Sequence, residues 1–276
     1  MNAQGLNLTV AAKPENLAVV RQALSGYAEA MGFDPDAISD LKTIVTEACM
    51  NVVVHAYPEG SPGPLEIAAQ PNEEGVEIAV FDHGSGFRPR PADPEDAGLR
   101  LGLPLIATLS DQFEIRGGPD GTEVRMALNF SHNGAEAAPE PGERADPEVA
   151  PGTLMSIAAG AFVRPVLARV IGALAARADF SIDRLSDTVL ISDAVSAHDA
   201  SDFPDGTVGI EILDDEGRLD VRIGPLLEGA SERILGGLEL PGGMSLRTLA
   251  SEVRVDREPG KLGDGPVEYV VVGIDK

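Results

Sequence analysis

The chain has 276 residues, 43% hydrophobic, 24% charged and 4% aromatic, with no Trp, a globular composition with room for two modest domains. Its formal net charge is −24, and acids exceed bases in both halves, which argues against nucleic acid or an anionic membrane surface as a partner. One cysteine, Cys49, rules out an internal disulfide and a Cys-based zinc site.

Leu6 to Ala12 alternates apolar and polar residues and predicts a strand. Pro14 suits the first turn of a helix, and Leu17, Val20, Leu24 and Tyr27 carry helical spacing as far as Met31. Gly32 ends that helix; Asp34, Pro35 and Asp36 start the next. The second helix holds the stretch Asp40 to Tyr57, DLKTIVTEACMNVVVHAY. Its neighbours Ile44, Val45, Ala48, Val52 and Val53 are core-type residues, and Cys49, Met50 and Met126 read as core as well. Tyr57 to Pro64 is a loop of turn formers. Strands follow at Leu65 to Gln70 and Val76 to Phe81, then a helix from Leu103 to Leu109, then strands Gln112 to Arg116 and Thr122 to Asn129. The order β-α-α-β-β-α-β-β predicts an α+β two-layer sandwich, one mostly antiparallel sheet with helices on one face.

Ser131 to Gly152, rich in Ala, Glu, Pro and Gly, reads as an extended linker between a domain at 1–130 and another at 153–276. Thr153 to Ala178 reads as one long apolar helix interrupted by Pro165. Phe180 to Asp187 then echoes Phe33 to Asp40, and Phe203 to Gly206 echoes Tyr57 to Gly60. Strands at Val208 to Leu213, Leu219 to Ile223 and Val267 to Ile274, and a helix-to-strand stretch at Ser245 to Val255, continue the parallel. The chemical residues do not follow. Asp193 and Ala197 stand where the first half has Glu47 and Asn51, and Pro225 where it has Asp82. The second half is expected to be a degenerate copy, with an unrelated α+β domain as the alternative.

Three motifs in the first half carry chemistry. Glu47 and Asn51 lie one helical turn apart and point the same way. Asn offers a neutral oxygen to a hard cation such as Mg²⁺, and Glu can take a proton from an attacking hydroxyl or order a water. A solvated Glu beside a satisfied Asn is the plainer reading. Asp82-x-Gly84-x-Gly86 ends a strand, where a buried carboxylate can accept from an exocyclic amine and glycines let the backbone approach a flat ring. Alone it is equally a turn. Gly98-Leu-Arg-Leu-Gly102 opens a helix, whose free N–H groups make a phosphate seat.

In this order, the three resemble the ATP-binding (Bergerat) fold of the GHKL superfamily, over residues 6 to 129. Within it the chain looks like the small anti-sigma-factor serine/threonine kinases of the RsbW and SpoIIAB type. Glu47-Ala-Cys-Met-Asn51 with His55-Ala-Tyr57, and Gly102-Leu-Pro-Leu-Ile106, carry that likeness. The resemblance implies ATP and Mg²⁺ as cofactors, Glu47 as general base and Asn51 as Mg²⁺ ligand. It implies Asp82 as adenine anchor, backed by Thr122. Gly84, Gly86, Gly98, Arg100, Leu101 and Gly102 would complete the nucleotide site, and Arg21 would face the protein partner. That partner would be a STAS-type anti-anti-sigma protein, whose unphosphorylated form releases a sigma factor. A nucleotide-gated switch that sequesters a partner without phosphorylating it is the alternative. The second half could stand in for the other subunit of a homodimer.

The chain departs from the pattern in places. Eleven residues separate Gly86 from Gly98, with Arg88 and Arg90 as their only bases. Arg100 replaces a small residue, and His83 replaces a commoner polar one. His55 reads as packed. No stretch resembles a signal peptide and no run of 18 apolar residues occurs, so a cytoplasmic location is expected.

Overall fold

A computed structural model describes residues 5–84, 102–130, 152–215, 217–236, 246–260 and 265–276. The chain divides into two compact units, Gly5–Pro151 and Gly152–Lys276. Gly86, Gly98, Arg100, Leu101 and the linker from Ser131 to Pro151 lie outside the described residues. Among the described residues no helix is long and apolar enough to cross a membrane.

The N-terminal unit runs β1 (Leu6–Ala11), α1 (Leu17–Met31), α2 (Pro35–His55), β2 (Pro64–Pro71), β3 (Gly75–Asp82), α3 (Gly102–Leu109), β4 (Gln112–Gly118) and β5 (Gly121–Asn129). A single 3₁₀ turn, Pro14–Asn16, leads into α1. Gly32 caps α1 at φ +89, a conformation only glycine takes freely. Asp34 caps α2: its side chain accepts from the N–H groups of Asp36 and Ala37 at 2.9 Å each. Such a cap contributes about 1 kcal/mol.

The strands form an antiparallel sheet in the order β1-β2-β3-β5-β4. Register places Leu8, Ile67, Val80 and Val124 in one cross-strand row. All four are buried. The next row is Val10, Leu65, Asp82 and Thr122. Alternation therefore turns Asp82 to the same face as Val76, Ile78 and Val80. Helix α2 packs on that face against β3 and β5, with α1 and α3 beside it. The opposite face carries Arg125, which donates to Glu77 at 3.0 Å and to Glu123 at 2.6 Å.

One core assignment is corrected. Met50 is 38% exposed and Val54 50% exposed, one turn apart on the outer side of α2. Met126 is core, at 1%.

The C-terminal unit runs β6 (Thr153–Ala158), α4 (Val163–Arg177), α5 (Ile182–Ser196), β7 (Thr207–Asp215), β8 (Arg218–Leu226), α6 (Ala230–Gly236), α7 (Leu246–Leu249), β9 (Glu252–Glu258) and β10 (Val267–Asp275). The long helix expected from Thr153 to Ala178 is instead a strand followed by a helix. Thr153, Met155 and Ile157 alternate as buried residues, which is strand periodicity. Gly160 then turns at φ +118. Pro165 falls in the first turn of α4, where its missing N–H costs nothing. The strands pair antiparallel in the order β6-β7-β8-β10-β9. That is the path β1-β2-β3-β5-β4 traces in the first unit.

Candidate active site

Asp82 is the last residue of β3 and is 6% exposed. One carboxylate oxygen accepts from the Gly84 N–H at 2.9 Å. Thr122, its register partner on β5, bonds it through both hydroxyl and backbone. Burial raises the Asp82 carboxyl above its ordinary range, while these bonds and the nearby His83 act to lower it. The result is a carboxylate held rigidly, with no cation paired to it in the described structure. Gly121 makes the arrangement sterically possible. It sits at φ +126, and a Cβ there would fall 1.9 Å from the Asp82 carbonyl oxygen.

Gly84 brings this loop onto the end of α2. A Cβ at Gly84 would meet the Ala56 carbonyl oxygen at 2.1 Å. Helix α2 carries Glu47 and Asn51, both half-buried. The Asn51 Nδ2 is buried and has no hydrogen-bond partner among the described residues. A buried amide N–H without a partner marks a place where an acceptor oxygen, of a bound molecule or a water, would complete the set. Glu47 lies against the start of α3: a Cβ on Gly102 would stand 2.7 Å from Glu47 Oε2. The helix start and the carboxylate thus meet because residue 102 has no side chain.

Among the described residues no cluster of three His, Cys, Asp or Glu side chains could hold a metal ion. A metal at Asn51 would take most of its ligands from phosphate and water, which is how Mg²⁺ is usually bound. A cleft of about 350 Å³ opens at Asp82, His83 and Thr122, walled by Arg116, Asp120 and Glu123. It follows the β4–β5 turn, and neither Glu47 nor Asn51 lines it.

Arg21 is half-buried on α1, and its charge reaches Cys49 on α2. Burial pushes that thiol up to about 12, with Arg21 acting the other way, so Cys49 is an inert packed residue. His55 is exposed rather than packed. Sequence reasoning gave no role to Tyr57, Glu66 or His83 beyond the motif they adjoin. In the structure they touch. The Tyr57 hydroxyl accepts from the His83 N–H, and the His83 ring meets Glu66.

Among the described residues the C-terminal unit has no such constellation. Leu226 is the last residue of β8 and pairs with Glu268, across a shift of register between β8 and β10. Glu268 is 1% exposed and is used internally. It accepts from the Ser231 hydroxyl at 2.6 Å, and from the N–H groups of Gly229 and Ser231, at the start of α6. Those bonds, the Ser231 hydroxyl foremost, hold its carboxyl below the usual range despite burial. Asp193 pairs with Arg164.

Residues 10–128 match the family described as "Histidine kinase-like ATPase domain". The serine-protein kinase RsbW of Bacillus subtilis is 35% identical over 145 residues, which cover 48% of this chain and 89% of that protein. RsbW of Oceanobacillus iheyensis is 37% identical over 122 residues, 40% of this chain and 77% of that protein. Among solved structures, the RsbU and RsbW domains of Rv1364c from Mycobacterium tuberculosis match at a TM-score of 0.36 and 24% identity, over 44% of this chain and 31% of that one. The extent and identity of the RsbW matches settle kinship: this chain belongs to the RsbW family of serine-protein kinases, and its N-terminal unit is the histidine kinase-like ATPase domain of that family.

Proposed function

We propose that the N-terminal unit binds Mg·ATP and phosphorylates a serine or threonine of a STAS-type anti-anti-sigma partner, whose unphosphorylated form frees a sigma factor. The observation that carries this reading is the meeting of Glu47 with Gly102 at the start of α3. The first N–H groups of α3 and its dipole favour phosphate there. A carboxylate at the same point can accept the proton of an attacking hydroxyl. Asp82, braced by Gly84 and Thr122, would anchor the adenine amine, and Asn51 would supply an oxygen to Mg²⁺. Bound Mg²⁺ would neutralise phosphate charge. Arg21, with no ion-pair partner among the described residues, is the cation we assign to the protein partner.

The test is to incubate the full chain with Mg²⁺, ATP labelled in its γ-phosphate, and STAS-domain proteins encoded beside it. Labelled serine or threonine on one of them is the expected result. Nucleotide bound with no label transferred to any of them would end the kinase reading in favour of a binding switch.

We further propose that the C-terminal unit, 153–276, is a copy of the same fold without the chemistry. The repeated strand path supports this, as does the buried Glu268, whose carboxylate is satisfied by the chain's own donors. Titration of the full chain with Mg·ATP should give one site per chain. Two sites of similar affinity would sink the idea.

A further inference from the structure

Three chain segments are tied together at one side chain beside the candidate site. Tyr57 lies two residues past the last residue of α2, His55. Its hydroxyl donates to the Pro64 carbonyl at the start of β2, at 2.6 Å. The same hydroxyl accepts from the His83 N–H just past the end of β3, at 2.8 Å. The ring packs against Gly63, where a Cβ would fall 2.1 Å from it. The His83 ring nitrogen Nε2 meets Glu66 Oε1 on β2 at 2.7 Å. Burial pushes the Tyr57 hydroxyl up to about 12, the nearby Asp82 and Glu66 carboxylates add to this, and the His83 N–H opposes it. The hydroxyl therefore keeps its proton, and both of its hydrogen-bonding functions are spent on main chain.

The place of this network matters more than its strength. His83 directly follows Asp82, and Gly84, whose N–H holds the Asp82 carboxylate, directly follows His83. Asn51 lies in the last turns of α2, six residues before Tyr57. The network thus joins the strand end that carries Asp82 to the helix end that carries Asn51.

We propose that Tyr57, with the His83–Glu66 pair behind it, is a positioning residue that sets the spacing between Asp82 and Asn51. The proposal rests on reading the N-terminal unit as a Mg·ATP site. The hydroxyl reaches the nucleotide only through the backbone of residues 82–84. Its loss leaves the His83 N–H without a partner and lets the Asp82 loop drift from α2.

The test uses the full chain with Tyr57→Phe, which keeps the ring and removes only the hydroxyl. KM for ATP should rise about tenfold, while kcat at saturating ATP stays within about twofold. Glu66→Ala should raise KM about fivefold, and Glu66→Gln, which can still accept from His83, should restore it to within about twofold of wild type. In an Asp82→Asn background, Tyr57→Phe should add little, because both act through one loop. An unchanged KM in Tyr57→Phe, with or without a lower melting temperature, would reduce Tyr57 to a structural tie and overturn the proposal. So would a fall in kcat at unchanged KM. Should Tyr57→Phe fail to fold, the Glu66 pair of variants decides by the same readout. If Asp82→Asn itself leaves ATP affinity intact, the site assignment fails and the proposal falls with it. If Asp82→Asn weakens binding and Tyr57→Phe does not, only the positioning role is lost.

Discussion

Replacing Glu47 with alanine is expected to slow phosphoryl transfer at least about a hundredfold while Mg·ATP still binds. The carboxylate is half-buried on α2 and makes no hydrogen bond or ion pair among the described residues. Its removal therefore breaks no hydrogen bond or ion pair among the described residues, and the change in stability should stay within about 0.5 kcal/mol. Glu47→Gln should lose as much activity as Glu47→Ala, since an amide keeps the shape and cannot take a proton. Single-turnover transfer to the STAS partner, with nucleotide affinity measured alongside, separates the outcomes. Transfer at the wild-type rate by Glu47→Ala would remove Glu47 as base. Loss of nucleotide binding together with transfer would make its role one of holding the site against Gly102.

Much of the first unit was legible because its strands alternate cleanly. Val76, Ile78 and Val80 point inward, so the next residue of that parity, Asp82, had to face the helices as well. The end of α1 at Gly32 and the start of α2 at Asp34 followed from capping chemistry. Met50 was misplaced because Cys49 to Val54 is apolar at every position but Asn51. Such a run does not reveal which side of the helix meets water. The strand Thr153–Ala158 was hidden for a related reason. Six residues of weak alternation run on toward an apolar helix, and Gly160 is the only break between them.

What composition and spacing could not supply were contacts between distant residues. The bond from His83 to Tyr57 spans 26 positions and that from His83 to Glu66 spans 17. Neither residue type announces its partner. The same holds for Gly102 and Glu47, whose closeness appears only when α3 is laid beside α2. In the second unit, the sequence did not show the use of Glu268 to cap the chain that follows β8.

Asp82→Asn should weaken ATP binding by about 10- to 100-fold, the worth of a hydrogen bond to a charged acceptor in a buried site. It should do so without destabilising the ligand-free chain. Burial raises the Asp82 carboxyl above its ordinary range, and the bonds from Gly84 and Thr122 only partly offset this. A carboxyl with a higher pKa folded than unfolded leaves the native state holding more protons. Its contribution to stability is then complete at low pH and is lost as pH rises through the folded value. At neutral pH the ionised Asp82 is a cost of folding that the neutral amide does not carry. The ligand-free variant should therefore melt at or above the wild-type temperature at pH 7. That advantage should shrink as pH falls into the range where Asp82 protonates. Adding Mg·ATP should reverse the ranking, because only the wild type gains the full stabilisation of a bound nucleotide. Thermal unfolding with and without Mg·ATP, at neutral and acid pH, reads all three effects. An equal nucleotide-induced shift in both proteins would take the adenine away from Asp82. A ligand-free variant that melts well below wild type at pH 7 would show that the carboxylate is held there for the fold rather than for the ligand.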